Sequence, residues 1–560
     1  MKKILLSLFV AVWGMTLTTS CIQEIDPQNS TVSAEQAGNA PGSYDNFVSA
    51  ITSTLVGQFT YGGNTSAYPW DYGYPSFFLQ RDVMGQDMPL VYSGSWYSTW
   101  YACGTMLGPS YRDCQIPWTY YFKWIKNCNT VLSLAGAEPS ADKIAGAGIA
   151  YAMRAMFYMD VARMFAQKTY ALDKESLTVP IVTETTTVME TAHNPRATNE
   201  KMWAFILSDL DKAEQYLANY KRSDVYTPDL SVVYGLKARA YLTMEDWPNA
   251  QKYAKLAQNG YTIMTKDQYT NRATGFNTPT PSWMFGVTFS ATDPNILLND
   301  GDSSWGSQMC IEVNPTKSGC GYASSYGDPK TIDRHLYETI PATDFRKGCF
   351  VDFALDNLSE DDCITALEAY SDYPDWVYLT GQNAKTYKAV GGLSLKFRLA
   401  GGQDGHDNQH IGFIVAVPLM RVEEMYLIEA EAAGMQSEAN GIALLTQFAK
   451  TRDASYVYGT HSSDAYGNTT TGAFRNEVWW QRRVELWGEG FATFDIKRLN
   501  KGVIRSYANT NHPETFRWNT TAPPDWMNLC ITQTAINYNY DCTNNPVPVK
   551  PTTDSPEYPW

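Results

Sequence analysis

The chain is 560 residues long with a formal charge of −15, and 14% of it is aromatic, with 17 Trp and 37 Tyr. So acidic a chain repels polyphosphates, which argues against a nucleic-acid partner and works against strongly anionic polysaccharides. The aromatic load suits a protein whose rings meet a ligand that is apolar on one face and wet at its edges. It suits equally a large secreted protein that buries them.

Lys2 and Lys3 precede an apolar run, Ile4–Val12, and then a small-residue stretch, Leu17–Ser20, that ends at Cys21. This pattern predicts a secretory signal over residues 1–20, with Cys21 as the lipid-attachment residue of a lipoprotein. Several acyl chains on one residue hold far more firmly than the single chain that anchors only marginally. Loss of residues 1–20 removes two lysines and no acid and takes the mature chain to −17. No later stretch approaches the roughly 18 apolar residues that a membrane span needs. The expectation is a membrane-anchored protein that does not cross the bilayer, with a polar tether over residues 21–40 and a single domain over 41–560.

Helical periodicity dominates three zones of that domain. Trp118–Ala135 and Gly146–Phe165 show apolar residues at i, i+3, i+4 and i+7 and are expected to be amphipathic helices. Asn199–Leu217, Ser231–Thr243 and Trp247–Gln258 follow, and Arg421–Gly434, Ala439–Arg452 and Arg475–Glu489 form the last zone. Ala238, Ala240 and Tyr241, with Trp247, Ala250, Tyr253, Ala254 and Ala257, look like tetratricopeptide-type helix pairs, in which small residues let helices approach and an aromatic fills the gap. Minor strand content is expected near Ser282–Phe289 and Gly412–Val417. Three irregular stretches, Thr60–Tyr101, Asn259–Lys330 and Tyr370–His410, are too long for simple connections and too aromatic for disorder. The fold class is therefore mainly α, a helical scaffold carrying long aromatic loops.

Catalytic signatures are thin. There is no HExxH, no G-x-S-x-G and no Gly-rich phosphate loop. His406 and His410 with Asp404 and Asp407, and the run Asn299–Asp302, carry ligand-type residues without metal-site spacing, so neither a metal nor a cofactor is expected. A glycosidase needs only two carboxylates and leaves no motif. Arg482, Arg483, Glu485, Glu489, Asp495 and Arg498 could pass for a catalytic cluster, but their spacing favours a structural ion-pair network. Glu423, Glu424, Glu429 and Glu431 are expected at helix surfaces and junctions.

Binding fits better. Sugar rings offer C–H patches to aromatic faces and hydroxyls to amides, carboxylates and guanidiniums. The candidate glycan-binding residues of the first loop are Tyr68, Trp70, Asp71, Tyr72 and Trp96. Eight cysteines are close neighbours along the chain, which in an oxidising compartment predicts the disulfides Cys103–Cys114, Cys310–Cys320, Cys349–Cys363 and Cys530–Cys542. Cys128, in a helix, is expected to be a buried free thiol.

Several segments, in order, resemble one family. Trp118, Phe122, Ile125 and Asn129 match a W-x-x-x-Y-x-x-I-x-x-x-N helix, and Arg154, Ala155, Tyr158, Arg163 and Phe165 match R-A-x-x-Y-x-x-L-x-R-x-F. Val179–Val182, Thr343–Arg346 and Leu419–Ala432 resemble further blocks. Arg482–Arg498 resembles R-x-x-E-L-x-x-E-G-x-R-x-x-D-x-x-R, with Ala492 in place of its internal arginine. Together these resemble the SusD-like family of outer-membrane nutrient-binding lipoproteins of Bacteroides-type bacteria over nearly the whole mature chain. The resemblance implies a non-catalytic protein on the cell surface that captures oligosaccharide for a TonB-dependent, SusC-like transporter. It also implies a ligand face built from the first loop and from middle loops that here carry Trp283, Asp300, Trp305 and Tyr322. The spread of tryptophans favours an extended neutral β-glucan or hemicellulose. An α-glucan, a peptide ligand or a glycoside hydrolase are the alternatives. The residues after Cys21 only partly resemble the acidic surface-export tag of such lipoproteins.

Overall fold

The computed structural model describes residues 40, 42–57, 68–91, 95–297, 301–318, 321–325, 327–379, 389–464, 466 and 471–560. Cys21, Asp300 and Cys320 lie outside them. The chain divides into two compact units, Met1–Asn46 and Phe47–Trp560. Only residues 40 and 42–46 of the first unit are described, and everything below belongs to the second.

That unit is helical. Its main helices, in chain order, are Ser76–Val83 (α1), Arg112–Ala135 (α2), Ile144–Phe165 (α3), Asn199–Tyr216 (α4), Leu230–Met244 (α5), Trp247–Ala257 (α6), Val422–Gln436 (α7), Glu438–Ala449 (α8), Ala473–Glu485 (α9) and Ala492–Arg498 (α10). Successive helices pack as neighbours: α2 on α3, α3 on α4, α5 on α6, and α6 on α7, which also packs on α8 and α9. The expected boundaries agree to within four residues except at the start of α2, which begins six residues before Trp118, and the starts of α4, α5 and α6 are written as caps. Thr198 accepts from Lys201 N, Asp229 from Ser231 N and Val232 N, and Asp246 from Asn249 N, with Pro248 in the first turn.

The α5–α6 pair packs as its small residues dictate. Ala238, Ala240, Ala250, Ala254 and Ala257 are fully buried, and the Tyr241 and Tyr253 rings stack beside them at 5.6 Å. Helix α3 differs from expectation. It is buried on nearly all sides rather than amphipathic, because its Gly, Ala, Met and Phe residues let α2 and α4 cover it. Its polar residues are consequently neutralised inside. Arg154 forks onto Asp209 at 2.8 and 2.9 Å and reaches Asn129, while Asp160 accepts from Tyr121 and from Arg81 and Arg163.

A single sheet occurs among the described residues, the antiparallel pair Trp283–Thr288 (β1) and Ala416–Arg421 (β2). The second strand begins four residues later than expected, because Gln409–Gly412 forms a helical turn capped by the Asn408 side chain. Its last residue, Arg421, opposes Trp283 and is delivered into the core.

The predicted disulfides need correction. Cys103, Cys114, Cys349, Cys363, Cys530 and Cys542 are free and buried, so Cys103–Cys114, Cys349–Cys363 and Cys530–Cys542 are not bonded; Cys310 is also free, and its expected partner Cys320 lies outside the described residues. The thiols turn to other partners. Cys103 donates to Trp100 O (2.9 Å), Cys114 crosses to Cys530 O (2.9 Å), and Cys530 points at Pro546 O (3.4 Å). Cys363 sits in an apolar cluster with Leu367, Val377 and Val390. Nearness along the chain did not become bonding, and the buried thiols are engaged by main-chain carbonyls or apolar neighbours instead. Cys128 is buried and free, as expected.

Candidate functional site

Two of the loop regions come together. Segment 68–74 is bent by Asp71 N→Tyr68 O (2.8 Å) and is stitched to the middle of the chain by three bonds to its carbonyls. Ser303 Oγ donates to Tyr68 O (2.6 Å), Asn295 Nδ2 to Asp71 O (3.1 Å) and Gln308 Nε2 to Pro69 O (3.3 Å). Tyr322 is held beside this seam by Ser307 Oγ (2.9 Å), and Gly321 N by Asp302 Oδ1 (3.2 Å). Side chains thus carry the work that sheet hydrogen bonds do elsewhere, which keeps long irregular backbone satisfied.

Burial sorts the predicted residues. Trp96 is 37% exposed, and Tyr68 and Tyr322 are half-buried. The Tyr68 ring meets Trp96 edge-on at 6.2 Å and stacks on Trp70 at 4.7 Å with planes 9° apart. Trp70, Asp71, Tyr72, Trp283 and Trp305 are buried, so their placement at a ligand surface is corrected. Trp70 backs Tyr68 from inside, and Tyr72 hydrogen-bonds Tyr97 OH (2.7 Å). Trp283 begins β1, and Trp305 wedges edge-on against Phe78 and Phe397. Hydrophobic area explains the outcome, since a Trp ring left in water forgoes more burial than any other side chain here.

Arg112, at the first position of α2, joins the group without having been foreseen. Its Cζ stands 4.8 Å from the Tyr68 ring and 5.3 Å from that of Trp70, and its Nε has no hydrogen-bond partner among the described residues. Only a helix-start position followed by Asp113 marked it in the sequence. Burial pushes the Asp113 carboxyl up to about 6, against the opposing pull of Arg112.

The C-terminal charged block is a structural network sealed from solvent. Glu485, at the end of α9, is fully buried and accepts from Arg452 Nε (2.9 Å), Arg421 Nη1 (3.1 Å) and Arg346 Nη1 (3.2 Å). Glu489 pairs with Arg421 and Lys396, both at 2.8 Å, Asp495 with Arg482 and Arg498, both at 2.7 Å, and Arg483 with Asp87 and Asp464. Glu423, Glu424, Glu429 and Glu431 are buried too, not on helix surfaces; Arg452, Arg239 and Arg498 pair with Glu423, Glu424 and Glu431. Ala492 borders a cavity of about 20 Å³ beside Arg482, whose Nη1 has no partner among the described residues. His406, a candidate ligand, instead stacks on Tyr373 at 3.9 Å.

This network sets the acid stability. Burial alone would raise the carboxyls of Glu485, Glu489, Glu431, Asp495 and Asp160, but their cationic neighbours outweigh it and hold all five below the usual range. A depressed folded-state value gives stability that is complete above the unfolded carboxylate range of about 4 and is lost as pH falls through the folded values. Half-buried His335 and buried His461, pushed down to about 4 and about 3 by burial, add an earlier loss that starts as pH falls below about 6.5 and ends at those values. The expected result is a melting temperature that drops steeply between pH 4 and pH 2 and changes little with added salt, since buried pairs are weakly screened. A flat profile down to pH 2.5 would contradict it.

Two family models match the chain: one described as "Starch-binding associating with outer membrane" over residues 83–242, and the SusD family over residues 370–556. No curated protein matches. Solved structures share the fold at low identity. A SusD-like carbohydrate-binding protein from Bacteroides vulgatus is 20% identical, with 90% of this chain and 97% of that one covered and a TM-score of 0.67. A SusD superfamily protein from Bacteroides thetaiotaomicron is 18% identical, with 90% and 99% covered and a TM-score of 0.63. A laminarin-binding SusD-like protein is 16% identical, with 90% and 98% covered and a TM-score of 0.55.

Proposed function

The chain belongs to the SusD family, and on that footing we propose that it captures glycan through Tyr68, Trp96 and Tyr322. The observation that carries this is the open Tyr68–Trp96 pair, backed by buried Trp70 and flanked by Arg112, whose guanidinium lies over the Tyr68 and Trp70 rings. Rings offer faces to the C–H patches of a sugar, while the half-buried Arg112 guanidinium supplies a polar partner at the edge. A preformed support lowers the ordering cost of binding, and a small shallow contact favours quick release. Both suit hand-over to a TonB-dependent, SusC-like transporter. Cys21 carries the lipid that anchors the protein at the outer-membrane surface, residues 21–40 are its tether, and residues 41–560 are one glycan-binding body. Its role is binding rather than catalysis, which the engagement of the C-terminal carboxylates in buried ion pairs supports. The ligand is a neutral β-glucan or hemicellulose, a reading supported by the repulsion that a chain of charge −15 offers an anionic polysaccharide and by the laminarin-binding neighbour of the same fold.

Native affinity electrophoresis of the protein lacking residues 1–21, through gels containing laminarin, xyloglucan, starch or pectin, tests the reading. Retardation by a neutral β-linked polysaccharide without new reducing ends is expected. Trp96→Ala should weaken it about tenfold, the loss of roughly 1.4 kcal/mol of stacking, with an unchanged melting temperature. Trp70→Ala should instead lower the melting temperature. Undiminished retardation in both Tyr68→Ala and Trp96→Ala would refute the assignment.

A further inference from the structure

A second cavity, of about 380 Å³, opens between residues 329–334, the turn at Gly391–Leu393 and the loop Asn509–Arg517, and none of Tyr68, Trp96 and Tyr322 lines it. Its volume falls at the lower end of the range for small-molecule sites. Ile311, Phe353 and Leu393 give it an apolar floor, and Arg334, Arg517 and Asp356 are its charged groups.

The walls are preformed. Asn511 donates Nδ2 to Ile332 O (3.0 Å) and accepts from Arg334 N (2.9 Å), which fastens the loop to the opposite wall. Asn509 before it takes the left-handed conformation, φ +63°, which asparagine tolerates. Asp356 Oδ1 accepts from Val390 N and Gly391 N, both at 2.7 Å, so its charge is largely engaged by the backbone. The cations are not equally engaged. Arg334 donates Nε to Glu338 (2.7 Å) and lies 5.2 Å over the Phe353 ring. Arg517 donates Nε to His512 O (2.8 Å), which orients its guanidinium, and it has no carboxylate partner among the described residues. In a protein of charge −15, this cavity presents a positioned, half-buried guanidinium beside an apolar floor.

We propose that this cavity binds a small organic monocarboxylate, its acid group forked by Arg517 with Arg334 assisting, and its carbon body laid on Phe353, Leu393 and Ile311. Guanidinium and carboxylate match as planar, two-pronged partners. A single negative charge is favoured over a phosphate dianion, which would meet the Asp356 carboxylate as well. The acid is either a free molecule or an acidic sugar unit, and the pocket stands independently of the aromatic pair.

Calorimetric titration of the protein lacking residues 1–21 with glucuronate, benzoate and glucose decides the matter. Saturable heat is expected with at least one of the two acids and none with glucose. Arg517→Gln should weaken acid binding tenfold or more, and Arg334→Gln should do so by a smaller factor. Both residues lie partly open, and unfolding curves of the variants guard against loss of fold. Tighter binding of benzoate identifies a free apolar acid, and tighter binding of glucuronate an acidic sugar. Glucose binding as tightly as the acids, no heat from either acid, or a folded Arg517→Gln protein of undiminished affinity would each overturn the proposal.

Discussion

Glu485→Gln is expected to cost on the order of 3–5 kcal/mol of folding stability, the largest loss from any single charge substitution here. Three arginines, Arg346, Arg421 and Arg452, converge on this one carboxylate, and all four side chains are at most 1% exposed. Glutamine keeps the shape and one acceptor oxygen but removes the charge and replaces the other oxygen with an amide NH2 that donates. That donor would face guanidinium N–H groups, so the cost is an uncompensated buried charge plus a donor–donor clash. Partial relief exists, because Arg346 retains Asp344, and Arg421 and Arg452 share Glu423. Glu338→Gln is the control. Its partner Arg334 and Glu338 itself are 35% and 56% exposed, and removing such a pair should change stability by no more than about 0.5 kcal/mol. Urea unfolding curves of the two variants measure the contrast, and similar midpoints would show that the three-arginine hub is dispensable.

The hub also shows which parts of this molecule could be read from the chain. Helix positions were legible because caps such as Thr198, Asp229 and Asp246 and the apolar spacing act locally. The structural role of Arg482–Arg498 was legible too, since so many opposite charges on two short helices must pair. That Glu423 and Glu431 lie inside was not, because burial of a carboxylate depends on an arginine arriving from far along the chain, as Arg498 does to Glu431 across 67 residues. The candidate site divides the same way. Of the aromatic residues singled out in the loops, Tyr68, Trp96 and Tyr322 remain at least partly exposed. Trp70 and Trp305 look alike in sequence and are buried, because exposure follows from tertiary docking through Ser303, Asn295 and Gln308 rather than from the residue's flanks. Arg112 carried only a weak local signal, its place at a helix start before Asp113.

Gly441→Ala is expected to destabilise the protein by more than about 2 kcal/mol, although alanine is the better helix former by about 1 kcal/mol. Helices α7 and α8 cross through Gly434 and Gly441. A Cβ at Gly441 would stand 2.3 Å from the Gly434 Cα and 2.6 Å from its backbone nitrogen, so the helices themselves would have to separate. Separation would loosen the cluster of Leu427, Ala430, Leu445, Phe448, Phe474 and Val478 that this crossing holds together. Gly434→Ala is obstructed differently. Its Cβ meets the Phe474 ring first, at 2.0 Å from Cε1, and a side chain can be trimmed where a backbone cannot. A double substitution Gly434→Ala with Phe474→Leu should therefore recover part of the loss of Gly434→Ala. Phe474→Leu should do little for Gly441→Ala, despite the Phe474 Cζ at 2.6 Å, because the Gly434 backbone remains in the way. Denaturation midpoints of the five variants test this. Equal rescue of both glycine positions would mean that the phenylalanine, not the helix backbone, sets the closeness of the crossing.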